Sequence, residues 1–202
     1  MPDHAAVRRI LDRYLIEVVE RFELCPWART ARVDGELSVA ILDGEPGDDA
    51  WVTAAAELLG EPATRVAMVV APDSELEPAR LRALRDRVAA RLPHAGVAEF
   101  HPQAALELAS PARLVPFLRR APDRLLQLVP LAILDAVRGA PPAAPRAQQA
   151  AILGGIAAAP KLPAAARIAA ANHATAREHA AAIEAILDDI ARDRAASYSA
   201  SR

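Results

Sequence analysis

Apolar residues recur at helical spacing over residues 4–23, where Val7, Leu11, Tyr14, Leu15, Val18, Val19 and Phe22 form one stripe. Arg8, Arg9, Asp12, Arg13 and Glu20 lie off it, so this is a helix with one core-facing side. Pro26 marks its end and pushes Cys25 toward extended backbone. Residues 36–43 read as a strand closed by Gly44-Glu45-Pro46-Gly47, and Asp48 or Asp49 can cap a helix that runs to Leu59 and ends at Gly60. The unbroken apolar run in residues 65–70 predicts a strand buried on both faces. A helix over about 76–92 turns Leu81, Leu84, Val88 and Leu92 inward, and residues 97–101 form a third strand ending at Pro102. This alternation predicts an α/β fold: a small, mostly parallel three- to four-stranded sheet flanked by helices.

Beyond residue 103 the pattern turns helical. Ser110-Pro111 starts a helix over 112–120. Residues 123–138 are so apolar that they predict a central helix kinked at Pro130. The Ala/Pro-rich stretch 139–163 reads as a linker, a last helix spans about 164–192 with Ile168, Ile183, Ile186, Leu187 and Ile190, and 195–202 reads as a disordered tail. Residues 1–194 are thus expected to form a single domain with a helical C-terminal half.

Composition narrows the classes. The 202 residues carry a net charge of −2, with only 3% aromatics and 53% hydrophobic residues, many of them alanine. No global basic field exists to hold nucleic acid or an anionic membrane. No apolar run reaches the roughly 18 residues that span a bilayer. One cysteine excludes an internal disulfide, and the N-terminus lacks a signal-peptide run; both point to a reducing, cytoplasmic setting. Oligomeric state is not legible from the sequence.

The lone cysteine sits in Leu24-Cys25-Pro26-Trp27-Ala28, and the third strand ends in Phe100-His101-Pro102. With Ile168, Asn172 and Thr175 near the C-terminus, these motifs resemble an uncharacterised bacterial family of unknown function. Its members carry Leu-Cys-Pro-(Phe/Trp)-Ala, Phe-His-Pro and Ile-x-x-x-Asn-x-x-Thr in this order. The family's Asn-Arg-Ser-Pro-Tyr-Pro-Met-Leu-His-Leu-Leu-Arg-Glu segment corresponds to residues 119–131, where this chain has Gln127 for the histidine and Pro130-Leu131 for the Arg-Glu pair. If members share a polar site, the resemblance implies that Cys25, His101, Arg120 and Asn172 are kept and other members lost. It implies no substrate.

Ligands of open parallel sheets bind outside the carboxyl ends of the strands, here Asp43-Gly44, Pro72-Asp73 and His101-Pro102. One reading places a small-molecule or thiol-dependent site there. Cys25 is its reactive thiol, activated by free N–H groups of a helix starting at Pro26, and His101 its acid/base partner. Arg120 anchors a small anionic ligand, Trp27 walls the pocket, and Asn172 completes it. The alternative is a non-catalytic partner- or ligand-binding protein in which Cys25 is an inert buried thiol, Trp27 a core plug and His101 a turn residue. Haem or metal binding through Cys25 is a third reading, but one cysteine and scattered histidines supply no closed zinc site, so no metal or cofactor is expected. Arg113, Arg119 and Arg124 are further anion candidates. Asp43, Asp48, Asp49 and Asp73 are explained by caps and turns.

Overall fold

The computed structural model describes residues 1–139 and 164–200. The opening helix α1 (His4–Tyr14) is capped by the Asp3 carboxylate and buries Val7, Ile10, Leu11 and Tyr14. It widens into a π-helical segment over Leu15–Glu20. The helix ends before Pro26 is reached. Glu23 takes a positive φ of 51°, the left-handed conformation that breaks a helix, and the Leu24 N–H closes back on the Val19 carbonyl at 2.9 Å. A short α2 (Ala28–Val33) follows.

The middle of the chain alternates as the apolar pattern predicts: β1 (Leu37–Ile41), α3 (Asp48–Gly60), β2 (Val66–Ala71), α4 (Pro78–Arg91) and β3 (Ala95–Phe100). Gly47, rather than Asp48 or Asp49, caps α3; the two carboxylates stand in its first turn and pair with Arg87 and Arg91 of α4. Ser110 caps α5 (Pro111–Leu118), its hydroxyl accepting from the Arg113 N–H.

The largest departure follows. Residues 123–138 are not one kinked helix. Arg124–Pro130 is a strand, β4, and only Leu131–Gly139 is helical (α6). A five- to seven-residue apolar run suits a doubly buried strand as well as a core helix, and its length favours the strand. Proline is tolerated at the strand's end, where it interrupts no ladder.

The sheet order is β1-β2-β4-β3. β1 and β2 pair in parallel, whereas β4 lies antiparallel to both β2 and β3. The sheet is therefore mixed, not mostly parallel. β1, β2 and β3 do point the same way, but β4 is inserted between β2 and β3 and supplies two of the three pairings.

Helices cover both faces. Alternate β2 residues Met68 and Val70, with Leu125 of β4, pack against α1, the π segment, α5 and the C-terminal helix α7 (Ala164–Ser199). Ala67, Val69, Ala71, Leu126 and Leu128 pack against Trp51, Ala54 and Ala55 of α3 and Leu81, Leu84 and Val88 of α4. Gly96 allows α6 to approach β3: a Cβ there would meet Leu134 Cδ1 at 2.6 Å. Helix α7 continues through Ala195, expected to begin a disordered tail, and Tyr198 is buried. The expected linker at 139–163 lies, but for Gly139, outside the described residues, as do the last two residues of the tail. No helix among the described residues is long and apolar enough to cross a membrane.

Helices α1 and α7 are clamped by ion pairs. Asp193 accepts from Arg9 Nη1 and Arg13 Nη1, both at 2.7 Å, and Arg13 also reaches Asp189 at 2.8 Å. The hydrogen bonds from Arg9 and then Arg13 hold the Asp193 carboxyl well below the usual carboxylate range. A depressed carboxyl stabilises the fold above its unfolded value of about 4, and that contribution is lost as pH falls through the folded value. Thermal melts at pH 7 and pH 3 are expected to show a smaller drop in Tm for Asp193→Asn than for the unsubstituted protein. Equal drops would show that the clamp carries no pH-linked stability.

Candidate functional site

The carboxyl ends of β1, β2 and β3 meet along one rim, joined there by the first residue of the antiparallel β4. The rim is heavily cross-linked. His4 pairs with Asp43 at 2.9 Å, and Glu45 accepts from the Ser74 hydroxyl and the Glu75 N–H. The Leu76 carbonyl receives Arg124 Nε at 2.7 Å and lies 3.0 Å from His101 Nε2.

His101, directly after β3, is 5% exposed. Its Nδ1 accepts the Gln103 N–H at 3.1 Å. That bond requires an unprotonated Nδ1, so the proton sits on Nε2 and is donated to Leu76 O. Burial pushes the imidazole below its ordinary value, and the neighbouring Arg124 charge pushes it the same way. This is a neutral histidine of one tautomer with both nitrogens occupied.

Arg120 shares this neighbourhood. Its Nε donates to the Pro102 carbonyl at 3.2 Å, and its Nη groups lie 3.4 Å from Asp188 and 3.8 Å from Glu184 of α7. The other arginines of the expected cluster go to separate partners: Arg113 to Glu107, Arg119 to Glu99, Arg124 to Leu76.

Cys25 lies in the turn between the π segment and α2. Burial pushes its thiol up; the Trp27 and Ala28 N–H groups at the start of α2 pull the other way and are outweighed. The Ala28 N–H, expected to be free to activate the thiol, donates to the Cys25 carbonyl at 3.2 Å, and desolvation wins. The Leu24 carbonyl next to it accepts from the buried Asn172 Nδ2 of α7 at 3.0 Å. Trp27 is half-buried and joins neither core, so it is not the core plug of the alternative reading.

The five sequence-derived candidates thus fall into two groups: Cys25 and Trp27 with Asn172 beside them, and His101 with Arg120. Their anchors on α7, Asn172 and Glu184, are twelve residues apart, about 18 Å along a helix. Among the described residues no hydrogen bond joins Cys25 to His101. Tyr14 approaches both segments: its hydroxyl donates to Leu118 O at 3.3 Å, and burial and then the nearby Cys25 push its phenol up. Among the described residues no group of His, Cys, Asp and Glu is arranged to hold a metal ion.

Two features escaped the sequence reading. One is a buried cluster in which Asp123, 2% exposed, accepts from Arg194 Nε at 2.6 Å and Tyr198 Oη at 2.7 Å. Its members lie 71 and 75 positions apart, and no local pattern links them. The other is a groove of about 320 Å³ lined by Arg8, Leu11 and Asp12 of α1, Arg32 of α2, and Leu37 and Val39 of β1. Arg32 is already held by Glu20 at 2.6 and 3.0 Å. The expected amphipathic stripe of α1 contains Leu11, but only the packing of α1 beside β1 makes the groove. No family model, curated protein or solved structure matches this chain.

Proposed function

We propose that this protein is a non-catalytic binding protein, with its binding surface along the groove between α1, α2 and β1, and with Cys25 and His101 serving packing and turn structure. The observation that carries this reading is the His101 ring, whose Nε2–H goes to Leu76 O and whose Nδ1 takes the Gln103 N–H. A general base needs a nitrogen free to take a proton from a reacting group. The raised Cys25 thiol supports the same reading, because only the thiolate is nucleophilic. The single cysteine suits a cytoplasmic setting, and kinship with the Leu-Cys-Pro-(Phe/Trp)-Ala family belongs to this proposal on the strength of the quoted motifs.

A second reading has one specific observation behind it: the Trp27 and Ala28 N–H groups at the start of α2 pull the Cys25 thiol down, against the effect of burial. In that reading Cys25 is a reactive thiol, His101 its acid/base partner and Arg120 the anchor of a small anionic ligand. The rate of iodoacetamide alkylation against pH separates the two. The binding reading expects an apparent pKa above the ~8.5 of a free thiol, unchanged in His101→Ala. An apparent pKa well below that value, shifted by the substitution, would overturn it in favour of the thiol site.

A further inference from the structure

The groove runs beside an open sheet edge. β1 is the outermost strand on its side of the sheet. The Val66 N–H donates to Glu36 O and the Leu42 N–H to Val70 O, so the even-numbered residues face β2. By the alternation of a strand, the backbone groups of Leu37, Val39 and Ile41 face away from the sheet. Consistent with this, Arg8 Nη2 donates to Val39 O at 3.0 Å from outside the ladder. The opposite edge strand, β3, carries charge: Glu99 is flanked by Arg82, Arg85 and Arg119. β1 carries no proline and no charged residue, and the apolar Val33 just before it is 64% exposed. An edge of this kind is a template for another strand.

The charges beside that edge indicate the occupant. Arg8 and Asp12 lie one helical turn apart on α1, and both line the groove. Helix α1 runs opposite to β1, since His4 meets Asp43 at one end while Leu11 and Asp12 flank Leu37 and Val39. We infer that β1 pairs antiparallel with β1 of a second copy of this chain, about a two-fold axis at Ser38. In that register Arg8 leaves the Val39 carbonyl, which with the Val39 N–H exchanges backbone hydrogen bonds with Leu37 of the second copy, and Arg8 turns to the second copy's Asp12 on both sides of the axis. An axis at Val39 would instead set Arg8 against itself. A two-fold interface must be self-complementary, and an Arg/Asp pair straddling the axis meets that requirement. Arg32 is neutralised by Glu20, which disfavours a free small anion as the occupant. The inference uses the binding surface proposed above but does not involve Cys25, so the alkylation profile and the oligomeric state fail separately.

Sedimentation equilibrium of the full chain over the micromolar range tests it. Asp12→Arg is expected to raise the dimer dissociation constant at least about tenfold, because two exposed attractive pairs become repulsive. Arg8→Asp combined with Asp12→Arg restores the pairs in swapped order, and dimerisation with them. Val39→Pro removes an outward N–H without touching the bonds to β2, and is expected to give a monomer with unchanged circular dichroism. Should that variant misfold, the charge swap decides. A wild-type monomer throughout the range, or a dimer indifferent to the charge reversal, would overturn the inference.

Discussion

Arg194→Ala is expected to destabilise the protein by about 3–5 kcal/mol, the cost of leaving a buried charge without its partner. Asp123 is 2% exposed, and its two oxygens are taken by Arg194 Nε and Tyr198 Oη. Arg194 also donates to the Pro72 carbonyl at 2.7 Å and lies 4.5 Å from the Tyr198 ring centroid. One guanidinium therefore ties the end of α7 to the carboxyl end of β2 and the entrance of β4. Burial, and then the Asp123 charge, pushes the Tyr198 phenol up, which keeps it protonated as a donor. Tyr198→Phe removes one hydrogen bond to a charged group, expected to cost about 1.5–3 kcal/mol. Urea unfolding of both variants checks the order. An Arg194→Ala loss under about 1 kcal/mol would mean that water reaches Asp123 and the cluster is not sealed.

Leu125→Ala and Leu126→Ala are each expected to cost about 2–5 kcal/mol, as for other fully buried leucines. Both are 0% exposed although adjacent in the chain, because β4 turns Leu125 toward the α1/α7 side and Leu126 toward α3 and α4. The two leucines fill different cores, so their losses are expected to add to within about 0.5 kcal/mol in the double variant. Denaturant midpoints at constant m-value check this. A near-neutral effect of either substitution would contradict a strand packed on both faces.

The chemistry of the candidate site was legible only as residue types. That Cys25, His101 and Arg120 stand at junctions between elements, and Asn172 within the last helix, is readable in the chain. What each one bonds to is not. The proton of His101 is fixed by a carbonyl from the loop before α4, 25 positions earlier. Asn172 donates to the Leu24 carbonyl, and Arg120 gives its Nε to the Pro102 carbonyl and turns its Nη groups to Asp188 and Glu184. An expected pocket residue thus serves as a backbone brace, and the expected anion anchor is committed to a backbone carbonyl and two carboxylates of the chain itself.

By itself the sequence determined the elements whose signals act within a few residues. The stripe of α1 follows from 3.6-residue spacing, the Ser110 cap from one hydroxyl reaching the N–H of Arg113, and the doubly buried β2 from an unbroken apolar run. Tertiary structure alone decided the character of residues 124–130 and, with it, the mixed sheet. An apolar run of that length satisfies its backbone equally well in a helix or in a ladder. The ladder is chosen because the inner edges of β2 and β3 both need a neighbour, and those partners lie tens of residues away in the chain.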